Sequence, residues 1–212
     1  MQSKQDLIPL FPLSLVVYPE EPLPLHIFEP RYKTMIADAV EDRGEFGIVL
    51  VSDGVMAPVG CLVVVKQRVK EYDGGEFDII VEGVRKFQLN DPVDGMPYMR
   101  CQPTWLEEDA DDLDSNMLER VITQHMRLLE LAGRTVRPAL YQDVEYVSYV
   151  IARNAGLDVN QKQHVLELLS ENDRISYLVE HMGSFIPQVE EIESLRKKVQ
   201  SNGHFQDFPP EL

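Results

Sequence analysis

Six prolines fall within residues 7–32, LIPLFPLSLVVYPEEPLPLHIFEPRY, and they restrict what this stretch can become. Proline lacks the backbone N–H that a helix interior needs, and its ring clashes with the preceding turn. Residues 7–18 therefore read as a first buried strand followed by a proline-rich turn, not as a helix. Lys4 ahead of this apolar run gives a superficial likeness to a secretion signal. Asp6, Pro9 and Pro12 argue against it, and Pro19-Glu20-Glu21-Pro22 stands where a small-residue cleavage site would be needed. A cytoplasmic protein is expected.

Further on, the pattern is first β-like and then helical. Residues 16–18 and 47–51 read as short strands. Residues 61–72 form a longer β-branched run with Val63, Val64, Val65 and Val69. Asp73-Gly74-Gly75 is a turn signal, since glycine supplies the positive φ of a tight hairpin. Residues 77–87 return, with Phe77, Ile79 and Val81 alternating against Asp78, Ile80 and Glu82. Residues 98–105 read as a closing strand. One short helix fits between Pro30 and Glu41, with Tyr32, Met35, Ile36 and Ala39 on its apolar face, Pro30 in its first turn and Gly44 at its end. This β-rich part is placed at residues 1–106.

Residues 107–114 hold six acidic and no basic side chains, the composition of a solvated connector. Residues 115–202 then read as a helical bundle. Ser115 caps a helix bearing Leu118, Val121, Ile122, Leu128 and Leu129. A second helix covers 143–155 and is closed by Gly156. A third opens on Asn160-x-x-Gln163, a capping-box pattern, and runs through Leu169. Asp173 caps a fourth, carrying Ile175, Leu178, Val179 and Met182, which Pro187 interrupts. Val189, Ile192, Leu195 and Val199 make the apolar stripe of a last helix, and 203–212 reads as a loose tail.

Charge and missing motifs exclude several function classes. Twenty basic against 36 acidic residues give a net charge of −16. That opposes nucleic-acid binding, which rests on Lys and Arg at phosphates, and opposes a polybasic membrane-surface module. No apolar run approaches the roughly 20 residues that span a bilayer. G-x-x-x-x-G-K-[S/T], G-x-S-x-G and H-E-x-x-H are absent. The histidines, His26, His125, His164, His181 and His204, include no i, i+4 pair. Cys61 and Cys101 read as buried, reduced thiols; with His26 they could form a nucleophile and base only if the fold joined them. No catalytic residue, metal site or cofactor is expected.

The motif at residues 7–32 resembles the N-terminal substrate-binding domain of the Lon protease family. The match rests on Pro9, Leu10, Phe11, Pro12, Val16 or Val17, Pro19, Pro24, Leu25, Ile27, Phe28, Glu29, Pro30, Arg31 and Tyr32. Phe46-Gly47-Ile48-Val49, Val59-Gly60-Cys61-Leu62 and Gly83-Val84-Arg85-Lys86-Phe87 are similar to later strands of that domain. Lys162-Gln163, Leu166, Leu168, Asp173-Arg174 and Tyr177-Leu178 resemble its helical part. Glu20 departs from the glycine usual after the proline at Pro19. The resemblance implies an α+β fold: a PUA-like open β-barrel with one short helix, followed by a C-terminal helical bundle. Full-length members continue into ATPase and Ser-Lys peptidase modules, which this sequence lacks, so proteolysis is not carried over.

Site expectations follow from both readings. In the motif, Pro24, Glu29, Pro30 and Arg31 are read as structural, Glu29 and Arg31 pairing with each other or with backbone groups to fix a buried turn; contact with a ligand is the less favoured alternative. His26 is read as a half-buried strand residue, and Arg85 and Lys86 as part of a solvated strand face. Leu23, Phe28, Tyr32, Met35, Met56 and Tyr98 are the candidate polypeptide-binding residues, because exposed apolar patches mark such surfaces and methionine adapts to varied partners. The expected function is non-catalytic capture of unfolded or hydrophobic polypeptide, with a protease or chaperone partner. The alternative is an assembly or adaptor domain that pairs through its helical half, for instance as a homodimer. A small-ligand or RNA-binding barrel is disfavoured by the charge and by the single Trp105.

Overall fold

The computed structural model describes residues 7–93, 97–109 and 112–202, with the backbone alone at 200–202. The expected loose tail at 203–212 lies outside the described residues. The chain forms two compact units. The first joins Met1–Ala110 with Leu157–Ser170, and the second joins Asp111–Gly156 with Glu171–Leu212. The expected boundary near 107 therefore needs correction: a 14-residue segment of the expected helical half, Leu157–Ser170, belongs to the first unit.

The first unit contains β1 (Ile8–Leu13), β2 (Pro22–Ile27), α1 (Pro30–Asp42), β3 (Glu45–Ser52), β4 (Val55–Met56), β5 (Val59–Glu71), β6 (Phe77–Gln88), β7 (Arg100–Cys101) and β8 (Thr104–Trp105). The strand order is β2-β6-β5-β3-β1-β7, with β4 beside β3 and β8 beside β6. β1 and β3 run parallel, and the other pairs are antiparallel. The sheet is open. The expected continuous strand over 98–105 is instead two short pieces, β7 on β1 and β8 on β6, separated by Gln102-Pro103. Pro22 and Pro24 lie two apart on the edge strand β2, so both missing donors fall on one side of a strand that, among the described residues, has a neighbour only on the other.

The expected strand at 16–18 is a buried loop. Its continuation locks onto β6: Glu20 N–H donates to Gly83 O at 2.9 Å and Gly83 N–H to Glu21 O at 3.0 Å. A Cβ at Gly83 would run into the Tyr18 carbonyl, so only glycine fits there. Glu20, which replaces the family's glycine, holds φ at 58°. The core between α1 and the sheet is built from Phe11, Tyr32, Met35, Ile36, Phe46, Ile48, Val63, Phe77, Ile79 and Val81. The helix face of α1 and the alternation of Phe77, Ile79 and Val81 on β6 anticipated this packing. A second core, on Leu10, Val49, Leu62, Phe87 and Cys101, lies on the other side of the sheet.

The returning segment carries α4 (Val159–Glu167). Its cap is Asp158 with Gln161, two residues before the expected box. Three bonds fasten it within the first unit: Gln163 Nε2 to Val59 O at 3.0 Å, Tyr18 Oη to Lys162 O at 3.0 Å, and Lys86 Nζ to Leu168 O at 2.7 Å. Lys86 is buried, not on a solvated face, and pairs with Glu108 at 2.9 Å. The acidic stretch thus supplies a counterion to a buried lysine. Arg85 is exposed, with its guanidinium 3.4 Å from the Trp105 ring centroid.

The second unit holds α2 (Ser115–Leu131), a 3-10 turn (Pro138–Tyr141), α3 (Val147–Ala152) and α5 (Glu171–Asn202). Asp114, not Ser115, caps α2, accepting from the N–H groups of Asn116 and Met117. The expected helix over 143–155 shrinks to α3; Asp143, its expected first residue, sits at φ 55°, outside the helical region, and Tyr146 at φ −130° is the N-cap. Pro187 does not interrupt α5. It removes one bond, to the carbonyl of Gly183, and both residues are exposed, so water can serve that oxygen. Arg174 is fully buried and binds Glu171 Oε2 at 2.9 Å and Ser148 Oγ at 2.9 Å. No helix among the described residues is long and apolar enough to cross a membrane.

Candidate functional site

A groove of about 570 Å³ runs between α1 and the β5–β6 hairpin. Ile36, Val65, Phe77 and Ile79 form its apolar floor, and Ala37 and Val40 project from the α1 wall. The helical spacing of 33, 36, 37, 40 and 41 puts these residues on one side of α1. The rim is polar: Lys33, Glu41, Lys66, Gln67 and Arg68. Lys33 Nζ reaches the Gly74 carbonyl at 3.5 Å, closing one end against the hairpin turn. The Arg68 guanidinium lies 4.1 Å from the Phe77 ring centroid, so its charged head sits directly over the floor.

A second exposed apolar feature lies on the other face of β2 and β6. Phe28 is 58% exposed and stacks on His26 with centroids 5.9 Å apart. His26 meets Tyr72 edge-on at 5.6 Å, and Asp78 accepts from Tyr72 at 2.8 Å and bonds His26 Nδ1 at 2.6 Å. These two hydrogen bonds, His26 first, hold Asp78 below the usual carboxylate range. His26 is thus exposed, not half-buried.

The expected binding residues divide sharply. Met35 is wholly buried in the core beneath α1, and Tyr32 and Tyr98 are nearly so. They are therefore not available as an open polypeptide surface. Tyr32 and Tyr98 both line a pocket of about 230 Å³, together with Leu10, Pro12, Arg31, Pro97 and Met99. Tyr98 Oη donates to Asp38 at 2.6 Å. Leu23 and Met56 are half-buried, packed on the two cores. Phe28 alone of the six stands exposed. The groove residues Val40, Val65 and Ala37 were missed because a helix face and a strand face show no groove until they are set side by side.

The structural motif residues are also in different surroundings from those expected. Pro30 starts α1 and Glu29 precedes it as N-cap. Arg31 Nε donates to Glu29 Oε2 at 2.9 Å, but both side chains are substantially exposed and the turn is not buried. Burial pushes the Cys61 thiol up to about 12 and Cys101 up to about 11, so neither is a nucleophile at neutral pH. Among the described residues, no group of three or more His, Cys, Asp and Glu could hold a metal ion.

The class thus defined is an α+β domain with an open mixed sheet, a helix-walled apolar groove and a C-terminal helical part. The family model of the ATP-dependent protease La (LON) substrate-binding domain matches residues 7–184, and the chain belongs to that family. Among curated relatives, the Lon protease of Bacillus thuringiensis (strain Al Hakam) is 25% identical over 94% of this chain and 26% of its own length. The Lon protease of Escherichia coli (strain K12) is 24% identical over 93% of this chain and 27% of its own. The chain therefore spans about a quarter of the length of such relatives, and the match falls on the substrate-binding domain.

Solved structures agree on the fold. The Lon N-terminal domain protein from Xanthomonas campestris superposes with a TM-score of 0.66 at 22% identity, covering 82% of this chain and 97% of that one. The N-terminal domain of the Mycobacterium avium complex Lon protease gives 0.61 at 17% identity, covering 84% and 98%.

Proposed function

We propose that this protein is a non-catalytic polypeptide-binding module of the cytoplasm, which captures unfolded or hydrophobic protein segments and presents them to a protease or chaperone. The observation that carries this reading is the apolar groove beside α1, within a chain of the Lon substrate-binding domain family. A water-filled concave apolar surface gains free energy when apolar side chains displace that water, at about 25 cal/mol per Å² buried. Folded proteins keep such side chains inside; unfolded ones offer them. Phe28 provides a second apolar contact on another face.

The test is a titration with a labelled, reduced and permanently unfolded polypeptide, read by fluorescence anisotropy, with the folded form as control. Saturable binding of the unfolded form alone is expected. Ala37→Trp, on an exposed helix position within the groove wall, weakens it by tenfold or more. Equal binding of both forms, or none at tens of micromolar, overturns the reading.

A second reading, assembly through the helical unit, is favoured by one observation. Ile192, Leu195 and Val199 on α5 are 63%, 54% and 73% exposed and share one stripe. Sedimentation velocity across a hundredfold concentration range tests it. A species of doubled mass, lost in Ile192→Asp, supports self-assembly, and a constant monomer mass removes it.

A further inference from the structure

We infer that the groove takes its peptide as an added β-strand on the open edge of β5, and that it selects segments in which acidic side chains alternate with apolar ones. This rests on the polypeptide-binding reading and narrows it to one mode and one class of ligand.

The first observation is the edge itself. β3 gives β5 a neighbour only as far as Val64, and Val65 N–H then donates to Gly44 O at 2.8 Å. Beyond that point, residues 66–71 pair with β6 alone among the described residues. A strand that outruns its neighbour leaves a row of N–H and C=O groups on one side, which another extended chain can pair with. At about 3.3 Å per residue this edge is roughly 20 Å long, the length of an ordinary strand.

The second observation is where the edge lies. Val65, Lys66, Gln67 and Arg68 on β5 line the groove together with α1. A strand added there would find backbone partners beside it and an apolar floor beneath it. Alternate side chains of that strand would point toward Ile36, Phe77 and Ile79, and the others outward past the rim.

The third observation is charge. Lys33, Lys66 and Arg68 line the groove against one acid, Glu41, and Lys70 follows on the same edge. This is a basic border on a chain of net charge −16. Lys66 and Arg68 contact Glu82 and Glu71 at 3.0 and 2.8 Å, but these pairs are solvent-exposed, and such pairs are weak enough to exchange for a ligand carboxylate. Basic side chains and the register shifts at Val65/Gln67 and Arg68/Lys70 are devices that keep an edge from pairing indiscriminately. A second basic edge is repelled, whereas an acidic strand neutralises the border, which makes the same device a filter.

The probe is a short synthetic peptide in which valine alternates with glutamate around a central phenylalanine. It is compared with two copies of itself N-methylated at alternate residues, one in each phase. Methylation removes backbone donors and leaves side chains and charge intact. The unmodified peptide is expected to bind saturably, one methylated phase to bind at least tenfold more weakly, and replacement of its glutamates by lysine to abolish binding. Arg68→Glu weakens the acidic peptide at least fivefold and improves the lysine version. Equal binding of all backbone forms overturns strand addition while leaving groove binding in place. Equal binding of the acidic and basic peptides overturns the charge filter. If the unfolded polypeptide binds and the probe does not, this inference falls alone; if neither binds, the polypeptide-binding reading falls with it.

Discussion

At the scale of single residues, burial decides what each side chain is worth. Glu29 and Arg31 stand in the most distinctive motif of the sequence, and an acid and a base among apolar neighbours suggested a buried pair. Both are exposed, and an exposed pair contributes about 0–1 kcal/mol. Arg31→Ala should therefore lower stability by less than about 1 kcal/mol in urea denaturation; a loss of several would mean the guanidinium carries more than the ion pair. His125 is the opposite case. It is fully buried on α2, with Nδ1 2.9 Å from Tyr141 Oη. Burial, helped by the charge of Arg134, pushes its pKa from 6.5 down to about 4. The unfolded chain then takes up a proton below pH 6.5 that the folded chain refuses until about pH 4. Stability present above pH 6.5 is lost as pH falls through that window, by about 2 kcal/mol at pH 5 at 1.36 kcal/mol per unit. Urea midpoints at pH 7 and pH 5 measure it, and His125→Leu should flatten the difference.

At the scale of elements, periodicity located helices and strands well, while their ends were set by local hydrogen bonds. α1 matches its expected span closely, since Pro30 and Gly44 bracket it. The caps of α2 and α4 fall one and two residues earlier than the patterns suggested. Asp114 and Asp158 outcompete neighbouring polar residues because a carboxylate accepts more strongly from helix N–H groups. Asp114→Ala should cost about 1 kcal/mol, and Asp114→Ser much less; equal losses in the two variants would show that the side-chain cap is not the cause. Pro187 shows the limit of a local rule. The missing bond is a fixed cost, and the contacts of a 32-residue helix can outweigh it.

At the scale of the whole molecule, the chain leaves the first unit and returns to it, so the expected division near 107 does not isolate a complete domain. α4 carries hydrogen bonds to Val59, Tyr18 and Lys86 through the segment it belongs to. A protein ending at Ala110 is therefore expected to fold poorly and leave Lys86 without the Leu168 carbonyl, whereas one in which a short linker joins it to Leu157–Ser170 should recover cooperative unfolding. Circular dichroism melts of the two distinguish them, and a sharp, equally stable transition in the shorter one would show that α4 is dispensable. The sequence by itself determined the β-rich and helical parts, the β5–β6 hairpin and the core face of α1, because alternation, helical spacing and proline placement are local properties; the resemblance to the Lon substrate-binding domain rested instead on the particular motif residues at 7–32. Tertiary structure alone decided that Tyr98 is core, that Lys86 is buried beside Glu108, and that Val65 and Val40 share a groove. Each of those depends on which surfaces meet, and residues far apart in the chain carry no local record of that.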